Sequence, residues 1–263
     1  MRLVLFTASC LCLLLGLAVT APARAQVTAT AESGIEYQQG SFGTGAQVET
    51  TSARQTLRIG SRRVQVYASL PWQRIEAPAN VVGGGGLLGL PIIIDPTQPS
   101  TRTVRQGIGD LRVGALYGVP APGGIDLRFG GEVKLPTASA RRGLGTGETD
   151  LTIAAEAARS FGAVTPFLSL SYTMAGDPEA YRLRDSLAGR GGIGLRLGEG
   201  LRGTLSYGHA RSASALVGDE SLLASSIEAS LSDRVSLGFT GRAGLSEGAA
   251  DLAVGVQLGW RLF

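Results

Sequence analysis

From Gly107 to the C-terminus, apolar and polar positions alternate with a period of two. Leu111, Val113, Ala115 and Tyr117 oppose Asp110, Arg112 and Gly114. Ile125, Leu127, Phe129, Val133 and Leu135 oppose Asp126, Arg128, Glu132 and Lys134. The pattern returns at Leu151, Ile153, Ala155 and Ala157 against Asp150, Thr152 and Glu156. It returns again at Leu168, Leu170, Tyr172 and Met174 against Ser169, Ser171 and Thr173. Further on, Ile193, Leu195 and Leu197 oppose Arg190 and Arg196, and Leu201, Leu205 and Tyr207 oppose Arg202, Thr204 and Ser206. Leu223, Ile227 and Leu231 oppose Glu228, Val235, Leu237 and Phe239 oppose Thr240 and Arg242, and Leu252 to Leu262 opposes Gln257 and Arg261. Successive side chains of a strand point to opposite faces, so each segment predicts a strand apolar on one face only.

Between these segments the connections alternate in length. Gly60-Ser61, Pro120-Ala121-Pro122, Phe161-Gly162-Ala163, Gly198-Glu199-Gly200 and Ser232-Asp233 are short. The stretches from Val81 to Arg105, Thr137 to Thr146, Asp177 to Asp185, Ser212 to Asp219 and Ser246 to Ala249 are longer. Strands at Thr28 to Gln38, Gln47 to Ile59 and Arg63 to Pro78 complete a set of about twelve, an even number that leaves both ends on the short-turn side. Gln47 to Ile59 carries little apolar signal, because Thr50, Ser52, Arg54 and Thr56 are all polar. The prediction is an all-β fold: a transmembrane, antiparallel, up-and-down β-barrel with lipid outside and a polar lumen. An open sheet would leave unpaired backbone in lipid, so the barrel has to close. Trp72, Tyr172 and Tyr207 fall near one set of strand ends, and Tyr117, Trp260 and Phe263 near the other, where aromatic belts belong. Phe263 stands one step out of register with the even-numbered apolar residues before it. The expectation is that it turns inward or lies at the interface.

Composition sharpens the picture at the N-terminus. Met1-Arg2, an apolar run from Leu3 to Val19 and Ala23-Arg24-Ala25 predict a secretory signal peptide over residues 1–25, cleaved before Gln26. The barrel then occupies residues 26–263. Both cysteines, Cys10 and Cys12, fall inside that leader, so no disulfide or cysteine metal site is expected in the exported part. Later segments lack the roughly 20 consecutive apolar residues of a spanning helix, while charged residues are only 17% and 39 of the 263 positions are glycine. Without Arg2 and Arg24 the net charge falls from +3 to about +1, so basicity points to no nucleic-acid partner.

The charged positions opposite the apolar ones are candidate pore-lining residues: Arg112, Arg128, Glu132, Lys134, Asp150, Glu156, Arg190, Arg196, Glu228 and Arg242. A hairpin register that pairs Lys134 with Asp150 also pairs Arg128 with Glu156. Glu132 with Glu156, or Asp126 with Asp150, would be a carboxylate pair for acid–base work. The interleaved cations favour neutralised wall charge instead. The single histidine, His209, has the parity of the lipid-facing residues and Ser212 the opposite one, which argues against a membrane-facing hydrolase and for an interfacial histidine. Neither a catalytic residue nor a metal site nor a cofactor is predicted. The run Gly83 to Gly86 has no Lys-Ser/Thr after it and is not a phosphate loop. It opens an apolar stretch, Leu87 to Ile94, that needs cover; folding into the lumen as a constriction, resting on the outer leaflet, meeting a partner or remaining a mobile tip are its open alternatives.

Three motifs go beyond alternation. Gly107-Ile108-Gly109-Asp110-Leu111, Lys134-Leu135-Pro136-Thr137 and Gly143-Leu144-Gly145-Thr146-Gly147-Glu148-Thr149-Asp150 resemble, in this order and spacing, the outer-membrane transporter family named for the MetA pathway of phenol degradation. Leu70-Pro71-Trp72, Phe161-Gly162 and Tyr172 to Asp177 fit the same pattern. The resemblance implies a porin-like barrel passing small molecules, including hydrophobic or aromatic ones. The motifs themselves read first as fixing the mouth of the barrel. The expected function is passive or facilitated passage of small molecules across the outer membrane of a Gram-negative cell. Lipid, a small-molecule solute and the outer-membrane assembly machinery are the expected partners. A non-conducting structural or surface-interaction barrel is the alternative, and a lipid-modifying enzyme a third.

Overall fold

A computed structural model describes residues 27–42, 47–85, 90–93 and 101–263. The leader expected over 1–25, its cleavage site before Gln26, and 86–89 and 94–100 of the longest loop lie outside the described residues. Among the described residues the chain is almost entirely strand: β1 (Thr28–Gly40), β2 (Val48–Gly60), β3 (Val64–Pro78), β4 (Val81–Gly85), β5 (Leu90–Ile93), β6 (Arg102–Ile108), β7 (Leu111–Ala121), β8 (Ile125–Leu135), β9 (Asp150–Arg159), β10 (Val164–Met174), β11 (Ser186–Gly198), β12 (Leu201–Ala210), β13 (Glu220–Ser230), β14 (Val235–Gly244) and β15 (Leu252–Arg261). Apart from β6 and β7, which both pair with β3, consecutive wall strands pair antiparallel, and β1 pairs with β15, which closes the sheet.

The wall has twelve positions, because β4 and β5 form a separate hairpin and β6 and β7 share one edge of β3. β6 pairs with Trp72 to Pro78 and β7 with Val64 to Ser69, and the Gly109 amide bridges the break by donating to the Pro71 carbonyl at 2.8 Å. The long connection expected from Val81 to Arg105 is therefore shorter in the structure. The wall already resumes at Arg102. Alternation there was masked, since both the outward Arg102 and Gln106 and the interior Arg105 are polar.

The outer surface is the apolar one. Leu168, Leu170, Ile153, Ile227 and Val256 are all about half exposed, as residues are that face lipid rather than a protein core. Wall strands of ten residues or more meet the roughly 9–11 residues that a tilted strand needs to span hydrocarbon. Outward-facing aromatics form two bands, with Trp72, Tyr172 and Tyr207 toward the long loops and Tyr117 and Trp260 toward the short turns. Phe263 is exposed at the short-turn rim, where its carbonyl accepts from the Ala29 amide at 3.1 Å and ties the chain end to β1.

Short turns close by local chemistry. Ser61 Oγ accepts from the amides of Arg63 and Val64, and Ser232 Oγ from those of Arg234 and Val235. Long loops behave differently: they fold back over the mouth and build the only sizeable apolar cluster among the described residues. Its members are Phe42, Val48, Ile75, Ala77, Val81, Ala138, Leu144 and Val217. Ile75 and Ala77 are interior-facing ends of β3, while Ala138, Leu144 and Val217 come from loops. The barrel thus buries apolar side chains at its mouth and polar ones along its interior.

Candidate functional site: the interior face and its loop-end mouth

Lys134, the single lysine, organises the mouth. Its ammonium lies 2.8 Å from Asp150, 3.6 Å from Asp110 and 3.0 Å from Thr146 Oγ1, and the side chain is 1% exposed. Two carboxylates against one ammonium leave an excess negative charge, which neutral donors offset: the Ala138 amide donates to Asp110 at 3.0 Å and the Gly176 amide to Asp150 at 3.1 Å. Thr137 Oγ1 donates to the Gly109 carbonyl and accepts from the Leu111 amide, both at 2.8 Å, clamping the β6–β7 break. Gly145 packs where a Cβ would come within 2.8 Å of Asp110, so no side chain fits there. The three motifs singled out in the sequence therefore meet in one cage. Tyr181 packs beside it, and burial, with Glu148, Asp150 and Asp110 adding to it, pushes its hydroxyl up to about 12.

The register anticipated from the sequence is present: Lys134 opposes Asp150, and Arg128 opposes Glu156 with its guanidinium 3.9 Å from the carboxylate. The ten candidate positions share the interior face but do not converge. Lys134 and Asp150 are sealed in the cage rather than open to the lumen. Arg112 pairs with Glu132 at 2.7 Å, and Arg242 reaches across to Glu36 at 2.5 Å. Arg190 donates to Ser206 Oγ at 2.9 Å and lies 5.7 Å from the Phe167 ring. Arg196 and Glu228 flank Arg202 in register near the short turns.

Inside the wall, a cavity of about 370 Å³ opens against β1, β2, β3, β7 and β8. Arg112 and Glu132 line it, but most of its charge comes from residues outside the ten candidates: Glu32, Glu36, Arg54, Arg58 and Asp110. Tyr67 crosses its wall, donating to Glu132 at 2.8 Å, with Arg58 stacked 5.3 Å from its ring. That position exists because Gly114 is opposite Tyr67, where any Cβ would approach the ring to 2.5 Å. The available signal was the even parity of β2, where Thr50, Ser52, Arg54, Thr56 and Arg58 are all polar and all interior.

His209 is exposed on the outer face, as its parity predicts, but its partner is across the strand pair rather than at Ser212. Its Nδ1 is 2.9 Å from Ser221 Oγ, and Ser212 is buried. No cluster of three metal-ligating side chains occurs among the described residues.

Among solved structures, this chain is similar to an outer-membrane channel from Pseudomonas putida F1, with 12% identity, a TM-score of 0.70 and coverage of 93% of this chain and 100% of the other. It is also similar to the NanC porin, at 7% identity and TM-score 0.56 over 88% of this chain and all of that one. The translocator domain of the autotransporter NalP from Neisseria meningitidis matches at 13% identity and TM-score 0.50, over 90% of this chain and 88% of that one. The fold is that of an outer-membrane β-barrel. Identities this low carry the architecture alone, and the three neighbours serve different purposes on it. No protein-family model matches the chain, and neither does any curated protein.

Proposed function

We propose that this chain is an outer-membrane channel for small polar solutes. The observation that carries the reading is a closed barrel, apolar outside, that encloses a charged cavity of about 370 Å³ beneath a loop-built apolar cap. Lumen charge sets which solutes enter, and hydrophobic constrictions gate by excluding water. The cap is the constriction. Val81 and Gly83, at the base of the longest loop, are buried in it, and the Gly83 amide donates to the Gly143 carbonyl at 3.0 Å. In this reading the long loops face the cell exterior, while the short turns and both chain ends face the periplasm. Residues 1–25 direct export, and the assembly machinery inserts the barrel.

The resemblance of Gly107 to Asp177 to the MetA-pathway transporter family supports a transport role and brings hydrophobic or aromatic compounds into consideration. The interior favours the polar end of that range, since ion pairs and hydroxyls dominate the walls of the cavity. Swelling of proteoliposomes in sugars of graded size tests the proposal. Rates that fall with solute size support a water-filled route. Absence of swelling with a barrel shown to be folded supports a structural or surface-interaction barrel instead.

A further inference from the structure

Most charges around the cavity are paired. Arg112 is held by Glu132, Arg242 by Glu36, and Lys134 by Asp110 and Asp150. Arg54 is not. Its guanidinium lines the cavity from the middle of β2, yet among the described residues no acceptor lies within hydrogen-bond or ion-pair distance of it. Arg58, two interior positions along the same strand, engages only the Tyr67 ring, and Glu32 opposite has no cation within ion-pair distance among the described residues. Arg54 pairs in register with Gly34, and a side pocket of about 130 Å³ opens over Gly34 and Gly255, where a side chain would otherwise fill the space.

We propose that Arg54 and Arg58 form a solute station in the lumen that binds a small, hydroxylated monocarboxylate. Arginine presents a planar fork of donors that a carboxylate accepts in bidentate fashion. Of the cavity charges held in no ion pair, Arg54 and Arg58 against Glu32 leave one positive charge, which a monoanion neutralises. A dianion would crowd against Glu32, Glu36 and Glu132. Thr50, Ser52 and Thr56, with Glu32 as acceptor, offer partners for hydroxyls on the same molecule. A cavity of this size falls within the range that holds small organic ligands. The inference deepens the channel reading by naming its solute class, but binding can be measured whether or not the barrel conducts.

Titration calorimetry of the folded, detergent-solubilised protein with gluconate tests it, with glucose and inorganic phosphate as comparison solutes. Gluconate is expected to bind, glucose to give no heat, and phosphate to bind more weakly. Arg54→Gln is expected to weaken gluconate at least about tenfold, Arg54→Lys to retain part of the affinity because charge remains without the fork, and Arg159→Gln, on the outer surface, to change nothing. Each variant is first shown to keep its heat-modifiable gel mobility. No heat with gluconate, or equal affinities for wild type and Arg54→Gln, would overturn the proposal. Binding without conduction would overturn the channel reading and leave the station standing.

Discussion

The Lys134 ammonium sits 2.8 Å from the Asp150 carboxylate, directly across the β8–β9 hairpin, with both side chains almost wholly buried. A charge pair at the rim of a channel is usually wet, and exposed pairs contribute little. This one is enclosed by three loops and shares Asp110 as a third member. Its role is to lock the mouth: it joins the β6–β7 break, the loop after β8 and the loop after β10 into one unit.

Removing the lysine alone leaves two buried carboxylates without their cation. Lys134→Met is therefore expected to destabilise the protein by about 3–5 kcal/mol. Replacing Asp110 and Asp150 by Asn in the same chain should recover much of the loss. Urea unfolding in detergent micelles measures both.

The apolar exterior makes a directional prediction. Leu170 lies near the middle of β10 and faces outward. Leu170→Arg is expected to cost about 2–4 kcal/mol of folding stability in a bilayer. Ser169→Arg, one residue away on the interior face, should cost far less. Folding into vesicles of defined thickness separates the two.

Tyr181 predicts a pH effect. Its hydroxyl titrates near 12 in the folded protein, against about 10 in an unfolded chain. The folded state holds this proton more tightly, so its contribution is complete below pH 10 and is lost as pH rises toward 12. The unfolding midpoint of Tyr181→Phe should fall less steeply than that of wild type over that window.

Gly114 gives the Tyr67 ring its place against the wall. Gly114→Val is expected to push the ring off Glu132 and into the cavity, narrowing the lumen. Reduced conductance, or slower swelling in sugars, is the expected outcome in a barrel of unchanged gel mobility.

Much of the barrel was legible because lipid imposes one rule on every strand. An apolar face must alternate with another, and the register of the Lys134 hairpin follows from charges spaced to meet. Three features were not legible, each for a physical reason. β6 lies largely beyond the apolar band, so Arg102, Arg105 and Gln106 lack an alternating contrast. The cap joins Phe42, Leu144 and Val217, whose proximity depends on how loops fold over the mouth rather than on any local period. Arg54 looked like part of a weak strand, because a small-residue polar face facing a cavity leaves the same trace as no face at all. Asp110 as the second anion of Lys134 was hidden in the same way, since the hairpin register names only Asp150.

Single-channel recording in a planar bilayer tests the central claim most directly, using the refolded protein beginning at Gln26. The account predicts stepwise, salt-dependent openings of small amplitude, with a reversal potential under a salt gradient that moves toward cations in Arg54→Gln. A protein shown to be folded that gives no openings at any voltage would contradict it.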